Sequence, residues 1–294
     1  MSLVINHNLM AMDAARSLNI SYSRLATSVQ RLSSGLRINS AMDDAAGLAV
    51  REMMRTDIRV LNQGVRNAND AISMIQTADG ALSIVDEKLT RMKELAEQAA
   101  TGTYTTAQRA IMDSEYQAMA SEITRIANAT DFNGVKLLDG SLSGTAVDGS
   151  SGNQMKIHFG TGNASAEDYY YVKIDTATAS ALGVGNSQAA TAAGYTISTQ
   201  SAAQHSLEAL DSAIATKDNI RANLGAVANR LANTVSVLGI QAQNLQAAES
   251  AISDVDVATE MTEFTRNQIL VQAGVSMLAQ ANSLPQLALQ LMGG

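Results

Sequence analysis

A chain of 294 residues has room for one or two ordinary domains, yet it carries only 3 Phe, 7 Tyr, no Trp and 1 Pro, so any core must be aliphatic and thin. The formal net charge of -8, with 20 basic residues spread evenly, leaves no positive stripe for phosphates and argues against a nucleic-acid partner. No apolar run approaches the roughly 20 residues that cross a bilayer, the start MSLVINHNLM lacks the features of a secretory signal, and the absence of Cys excludes disulfide and thiolate chemistry. The expectation is a soluble chain with no membrane insertion.

At the amino end, Leu18, Tyr22, Leu25, Val29, Leu32 and Leu36 form one amphipathic stripe without a local partner. Gly35 can end that helix, and Ser40 with Asp43 three residues later can open the next as a capping box. From Ile58 the apolar positions step by three or four through Leu61, Val65, Ala68, Ile72, Ile75, Ala78, Leu82, Val85, Leu89, Met92, Leu95 and Ala99. No proline interrupts residues 42–100, so the spacing predicts one nearly continuous helix with a heptad-like seam. After the break at Thr101-Gly102-Thr103, a third helix is predicted over Thr106 to Ala129, with Ile111, Met119, Ile123 and Ile126 as its apolar face.

Phe132-Asn133-Gly134-Val135 places an Asn-Gly hairpin turn next. From Gly140 to about Gln200 the chain is rich in Gly, Ser, Thr and Ala, and the alternating runs Met155–Phe159 and Tyr169–Ile174 predict hairpins, a small β patch capping the helices. The second long segment repeats the three-four spacing through Leu224, Val227, Leu231, Val235, Leu238, Ala242, Leu245, Ala248, Ile252 and Val255, and is the expected partner of the first. A last stripe, Leu270, Ala273, Met277, Ala281, Leu284, Ala288 and Leu291, again lacks a local partner. The two end stripes could pair as a two-helix coiled coil or stay disordered until many copies stack; the second is favoured, because a lone pair of end helices is marginal.

The expected fold is therefore mainly α: long antiparallel coiled-coil helices from both ends forming a rod, with a small β-hairpin region in the middle. Residues 1–42 and 256–294 form one discontinuous layer of terminal helices, 43–140 and 200–255 a rod domain, and 141–199 a short insert.

Nothing in the sequence has the pattern of an active site or a cofactor site. Asp43 and Asp44 read as helix amino-terminal acids rather than a carboxylate pair for acid-base work. His7, His158 and His205 are isolated from one another and from acidic partners, and Gly160-Thr161-Gly162 lacks the third glycine and following helix of a phosphate cradle. The 14 Met read as pliable filler on the stripes. The sequons at Asn19, Asn128 and Asn163 read as chance matches.

Several runs together resemble bacterial flagellin. They are Arg31-Leu32-Ser33-Ser34-Gly35-Leu36-Arg37-Ile38-Asn39-Ser40 with Asp43-Asp44-Ala45-Ala46-Gly47-Leu48-Ala49, then Phe132-Asn133-Gly134-Val135-Lys136 and Leu224-Gly225-Ala226-Val227. At the carboxyl end they are Gln268-Ile269-Leu270, Gln272-Ala273-Gly274 and Leu278-Ala279-Gln280-Ala281-Asn282. Met42 departs from the pattern, which has a lysine there. The resemblance covers about residues 1–140 and 200–294, with a short middle insert in place of large outer domains.

It implies an extracellular filament subunit, a helical homopolymer used for swimming. It also implies export by the flagellar type III apparatus without a cleaved signal peptide, and an export chaperone, a filament cap and junction proteins as partners. The end stripes would then be the assembly seam, with Leu18, Leu25, Val29, Leu32, Leu270, Met277, Leu284 and Leu291 as its residues. A head-to-tail contact that does not close into a ring generates a helix. The resemblance further implies recognition of the monomer by a vertebrate Toll-like receptor through an Arg, a Leu and a Glu that fall on Arg91, Leu95 and Glu115. Leu95 also continues the apolar seam, so core packing is its other reading. A hook-filament junction protein and a coiled-coil adaptor are the alternatives.

Overall fold

The computed structural model describes residues 8–144, 154–165, 167–185 and 194–292, with side chains described as far as residue 283. Its elements are α1 (Leu9–Ser34), α2 (Ala45–Ala100), α3 (Thr106–Ala129), β1 (Asp131–Phe132), β2 (Val135–Lys136), β3 (Met155–His158), β4 (Tyr169–Val172), α4 (Gln200–Ser253) and α5 (Val257–Met292). The mainly α expectation holds: long helices lie toward both ends, and the strands form two small antiparallel hairpins. Two compact units emerge, Met1–Ile58 with Gln243–Gly294, and Arg59–Ala242, so the divisions fall inside α2 and α4.

In the second unit the three-four spacing does what it predicts. Leu61, Ala68, Ile75, Ala78, Leu82, Val85, Leu89, Met92, Leu95 and Ala99 are buried, while Val65 and Ile72 are half-buried. Ala71, Met74 and Ala96 are buried beside them, so the stripe on α2 is wider than a two-helix seam needs. Part of it meets Ile220, Leu224 and Leu231 of α4, and part meets α3 and Leu210 and Ala213 of α4. Charges edge this seam in antiparallel order. Arg221 donates to Asp79 at 2.7 Å, Lys217 pairs with Asp86 and with Asp218, and Lys93 pairs with Asp211. Lys217 is only 2 % exposed. Burial pulls its pKa down, but the hydrogen bonds it donates to Asp218 and Asp86 more than offset this and hold it above the ordinary lysine value.

α3 opens with a reciprocal capping box between Thr105 and Gln108. Its buried face is Tyr116, Ala120, Ile123, Ile126 and Ala127, with Met119 half-buried against the same cluster. Ile111 does not belong to it: this side chain is 73 % exposed, because five residues separate it from Tyr116 and that step carries it off the buried face. The position two turns before Tyr116, on the same side of the helix, is instead taken by Arg109, which is buried. Its Nε donates to Ala99 O at 2.8 Å and its Nη2 to Thr101 O at 2.7 Å, so the guanidinium satisfies carbonyls at the end of α2 and opposes the negative pole of that helix.

β1 and β2 flank the Asn-Gly turn, with Asn133 at φ 51° and Gly134 at φ 80°, the left-handed pair that a two-residue hairpin of this kind requires. β3 and β4 pair with Met155 opposite Val172 and His158 opposite Tyr169, as the alternating runs predict. The insert does not cap the helices, however; it lies along them. Ile157, Val172, Ile174 and Ala177 join the cluster around Ala68 to Leu82, whereas Ala179, Leu182, Val184 and Ile197 join the one around Val85 to Ala99. The extra apolar width of α2 is what they cover.

Three contacts fix this arrangement. Asn67 Nδ2 donates to His158 O at 2.8 Å. Beside it Gly64 lies so close to the strand end that a Cβ there would sit 2.0 Å from Phe159 O. Farther along, Tyr116 is fully buried and its hydroxyl donates to Gly194 O at 2.7 Å, with burial pushing the phenol pKa up. Expectations that fall on His7 and on residues 145–153, 166 and 186–193 lie outside the described residues.

These contacts make two expected outcomes measurable by urea unfolding. Gly64→Ala forces the hairpin off α2 and costs about 1–3 kcal/mol, an overpacking penalty. Arg109→Met leaves two carbonyls at the end of α2 without a donor and costs about 2 kcal/mol. Unchanged midpoints in both variants would refute the roles given to these residues.

Candidate functional site

The first unit is built from α1, α5 and the adjoining ends of α2 and α4. α1 begins at Asn8, whose side chain accepts from Ala11 N at 3.0 Å and donates to Ala281 O of α5 at 2.7 Å. It ends at Gly35, φ 73°, whose N–H donates to Arg31 O at 2.8 Å, the left-handed stop that the sequence predicts. The chain then runs beside the α4–α5 junction. Arg37 N donates to Ser253 O, Val255 N donates to Gly35 O, and Arg37 Nη2 donates to Ile252 O. Arg55 of α2 adds an ion pair to Glu249 at 2.9 Å.

The turn before α2 differs from the expected capping box. Asp43 folds back, and its Oδ2 accepts from Asn39 N, Ser40 N and Ser40 Oγ. Asp44 is the residue that caps α2, its Oδ1 accepting from Gly47 N at 2.9 Å. The backbone donors of Ser40 and Asn39 hold the Asp43 carboxyl below the ordinary aspartate value. At the start of α5, Asp256 is lowered likewise by the Thr259 hydroxyl and by the amides of Thr259 and Ala258. Met42, where the resemblance has a lysine, is 96 % exposed.

α1 and α5 pack against each other antiparallel as a pair. The seam of the pair is made of small and polar residues as much as apolar ones. On α5 it is Asn267, Val271, Gly274, Leu278 and Ala281, again at three-four spacing, with Gly274 letting Leu18 approach closely. On α1 it is Leu18, Ser21, Leu25, Ser28 and Leu32. Such a thin seam leaves large apolar side chains outside. Leu9, Ile20, Tyr22 and Val29 of α1 and Val257, Ile269, Leu270, Val275 and Met277 of α5 are all exposed, Met277 by 61 %.

The eight predicted assembly residues therefore separate. Leu18, Leu25 and Leu32 turn toward α5, half-buried; Val29, Leu270 and Met277 face outward; the side chains of Leu284 and Leu291 lie outside the described residues. α5 is apolar on more than one side, so the stripe read from Leu270 and Met277 is a second stripe, displaced from the one that meets α1. Between the two helices runs a shallow groove of about 480 Å³ whose lining includes Met10, Leu18, Leu270, Gly274 and Met277.

Arg91 and Glu115 stand together in the second unit. Arg91 Nη2 lies 2.9 Å from Glu115 Oε1 and Nη1 lies 3.0 Å from Glu94 Oε2, and all three side chains are substantially exposed. Leu95 is 2 % exposed and packs in the cluster beneath them. Among the described residues no group of three or more His, Asp or Glu could hold a metal ion, and no helix is long and apolar enough to cross a membrane.

Comparison with known proteins joins these observations to a family. Residues 5–143 match the bacterial flagellin N-terminal helical region and residues 207–292 the bacterial flagellin C-terminal helical region. The chain belongs to the bacterial flagellin family. It is 42 % identical over 291 residues to a flagellin of Halalkalibacterium halodurans, covering 99 % of this chain and 100 % of the relative. It is also 40 % identical over 290 residues to the flagellar filament 30.7 kDa core protein of Treponema maltophilum, covering 99 % and 100 %. Among solved structures, a flagellar hook-associated protein from Vibrio parahaemolyticus shares the fold, with a TM-score of 0.55 at 16 % identity over 72 % of this chain and 100 % of that one. The two regions that match the flagellin family are those that carry the long helices, and the insert between them is the part that neither matches.

Acid should act first on the capped turns of the terminal unit. The lowered carboxyls of Asp43 and Asp256 contribute stability that is complete above the ordinary aspartate value and lost as pH falls through their lower folded values. Amide hydrogen exchange at residues 39–47 and 256–260 is expected to be flat in intrinsic-rate-corrected protection from pH 6 to 4 and to rise steeply below. In a D43N/D256N variant this acid step should be largely absent; an equal step in both proteins would contradict the assignment.

Proposed function

We infer that this chain is the structural subunit of a bacterial flagellar filament and acts by polymerising, not by catalysing a reaction. Membership of a family of structural filament proteins supports this reading. The observation that carries it is the outward apolar surface of α1 and α5. A soluble monomer rarely keeps so many large apolar side chains in water on one pair of helices, and such a surface marks a protein interface. The contact joins this surface head to tail from one copy to the next, and such a contact that does not close into a ring generates an open helix. The terminal unit is then the inner core of the filament. Placement in an extracellular filament follows, with export through the flagellar type III apparatus and no cleaved signal peptide. The chaperone, cap and junction partners belong to the same reading.

A vertebrate Toll-like receptor would meet the monomer at Arg91 and Glu115, which are exposed and already paired, so the receptor gains a preformed charged patch. Leu95 supports that patch from below rather than offering surface.

Seeded elongation tests the filament reading. Leu270→Asp and Met277→Asp place charges on the outward stripe, and each should abolish growth from sheared filament seeds while leaving monomer helicity unchanged. Growth at the wild-type rate would remove these residues from the interface, and a wild-type chain that joins seeds without extending them would indicate a junction protein. For the receptor, Arg91→Ala with Glu115→Ala should lower activation of a reporter cell line by at least about tenfold without changing the melting temperature. Undiminished activation would refute the patch.

A further inference from the structure

The methionines of this chain are partitioned between its two units. Met10, Met12, Met42, Met53, Met261 and Met277 are 45–96 % exposed, and all six lie in the terminal unit. Met74 and Met92, in the second unit, are buried at 2 % and 0 %. Met54, Met112, Met119 and Met155 fall between these extremes. Four of the six exposed ones sit on α1 and α5, and Met10 and Met277 line the groove between them with Leu18 and Leu270.

A thioether on such a surface is a good nucleophile with open access. Its sulfur lone pair attacks one oxygen of a peroxide; the O–O bond breaks, sulfur gains the oxygen and gives up two electrons, and hydrogen peroxide leaves as water. The product sulfoxide carries a strong acceptor dipole where an apolar atom stood. Packed into an apolar contact between copies without a donor, that dipole is costly to desolvate. A thiol-dependent reductase reverses the step, its two thiols becoming a disulfide as the oxygen leaves in water.

We propose that the exposed methionines of the terminal helices are a peroxide-oxidisable, reversible modification site that switches assembly off in the free subunit. The proposal rests on the reading that α1 and α5 form the interface. It adds a direction: once copies have stacked, the same side chains are covered, so oxidant arrests growth without dissolving polymer already made.

The test treats purified full-length monomer and seeded polymer with hydrogen peroxide and reads sulfoxide at each methionine by peptide mass spectrometry. Circular dichroism and seeded elongation are followed alongside. In monomer, Met10, Met12, Met261 and Met277 should oxidise at least about tenfold faster than Met74 and Met92, in line with their exposure. Helicity should stay unchanged, and elongation should fall at least about tenfold and return after reductase treatment. Polymer should show the four protected and keep its length. A variant with Met10, Met12, Met261 and Met277 all replaced by Leu, a volume-conserving change, should elongate at the same rate before and after peroxide, whatever its own untreated rate. Uniform oxidation rates, or oxidised monomer that elongates like untreated monomer, overturns the switch. Untreated monomer that never elongates overturns the assembly reading itself, and the switch with it.

Discussion

A pair of helices can bury one seam, and α1 and α5 carry more apolar surface than one seam holds. Their shared contact uses Gly274, Ala281, Ser21, Ser28 and Asn267, which bring the backbones close but cover little, while Leu270, Val275, Met277, Ile20 and Val29 remain in water. At roughly 1.5–3 kcal/mol for each large apolar side chain fully buried, covering even a few of them is a substantial drive toward association. The fold thus presents an apolar surface that the chain itself does not cover. Everything assigned to this chain as a filament protein depends on that imbalance.

The second unit shows the opposite balance. There the stripe on α2 is wider than α4 alone can cover, and α3 together with the insert supplies the remainder, down to fully buried Leu137, Leu138, Ile174 and Val184. Along the edge of the α2–α4 seam the pairs Arg221–Asp79, Lys217–Asp86 and Lys93–Asp211 recur in antiparallel order. Surface ion pairs add little stability, but a buried ammonium held between two carboxylates penalises any axial slip that would leave it unpaired. The second unit covers most of its stripe within the chain, leaving Ile84, Ile111, Val237 and Ile240 exposed, whereas the terminal helices cover far less of theirs.

Much of this was legible in the residue order, and the reasons are particular. Three-four spacing sustained over thirteen positions located α2 and its seam, because only one face of a helix repeats with that period. Gly35 and Asn133-Gly134 were readable since each supplies a left-handed backbone that few other residues adopt without strain. Isolated signals misled: Ile111 is one apolar residue on a helix whose buried face is fixed by Tyr116 and Ile123, and nothing local tells the faces apart. Ser40 and Asp44 both suit a helix cap, and the choice is made by where Asp43 folds. On α5 the phase of the stripe was ambiguous because the helix is apolar on several sides. Arg109 and Gly64 left no signal, since one acts through a helix end and the other through a strand distant in sequence. Pairing of the end helices was one of two readings of their stripes, but the make-up of its seam did not show, for it is built from residues that periodicity does not weigh heavily.

The central claim is that the outward faces of α1 and α5 become covered when copies of this chain stack. Amide hydrogen exchange on monomer and on seeded polymer, resolved by peptide, measures this most directly. The account predicts that protection rises strongly over residues 9–34 and 257–292 on assembly, while the already buried stretch of α2 from 68 to 99 changes little. Polymer in which the terminal helices exchange as fast as in monomer, with new protection confined to the second unit, would contradict it.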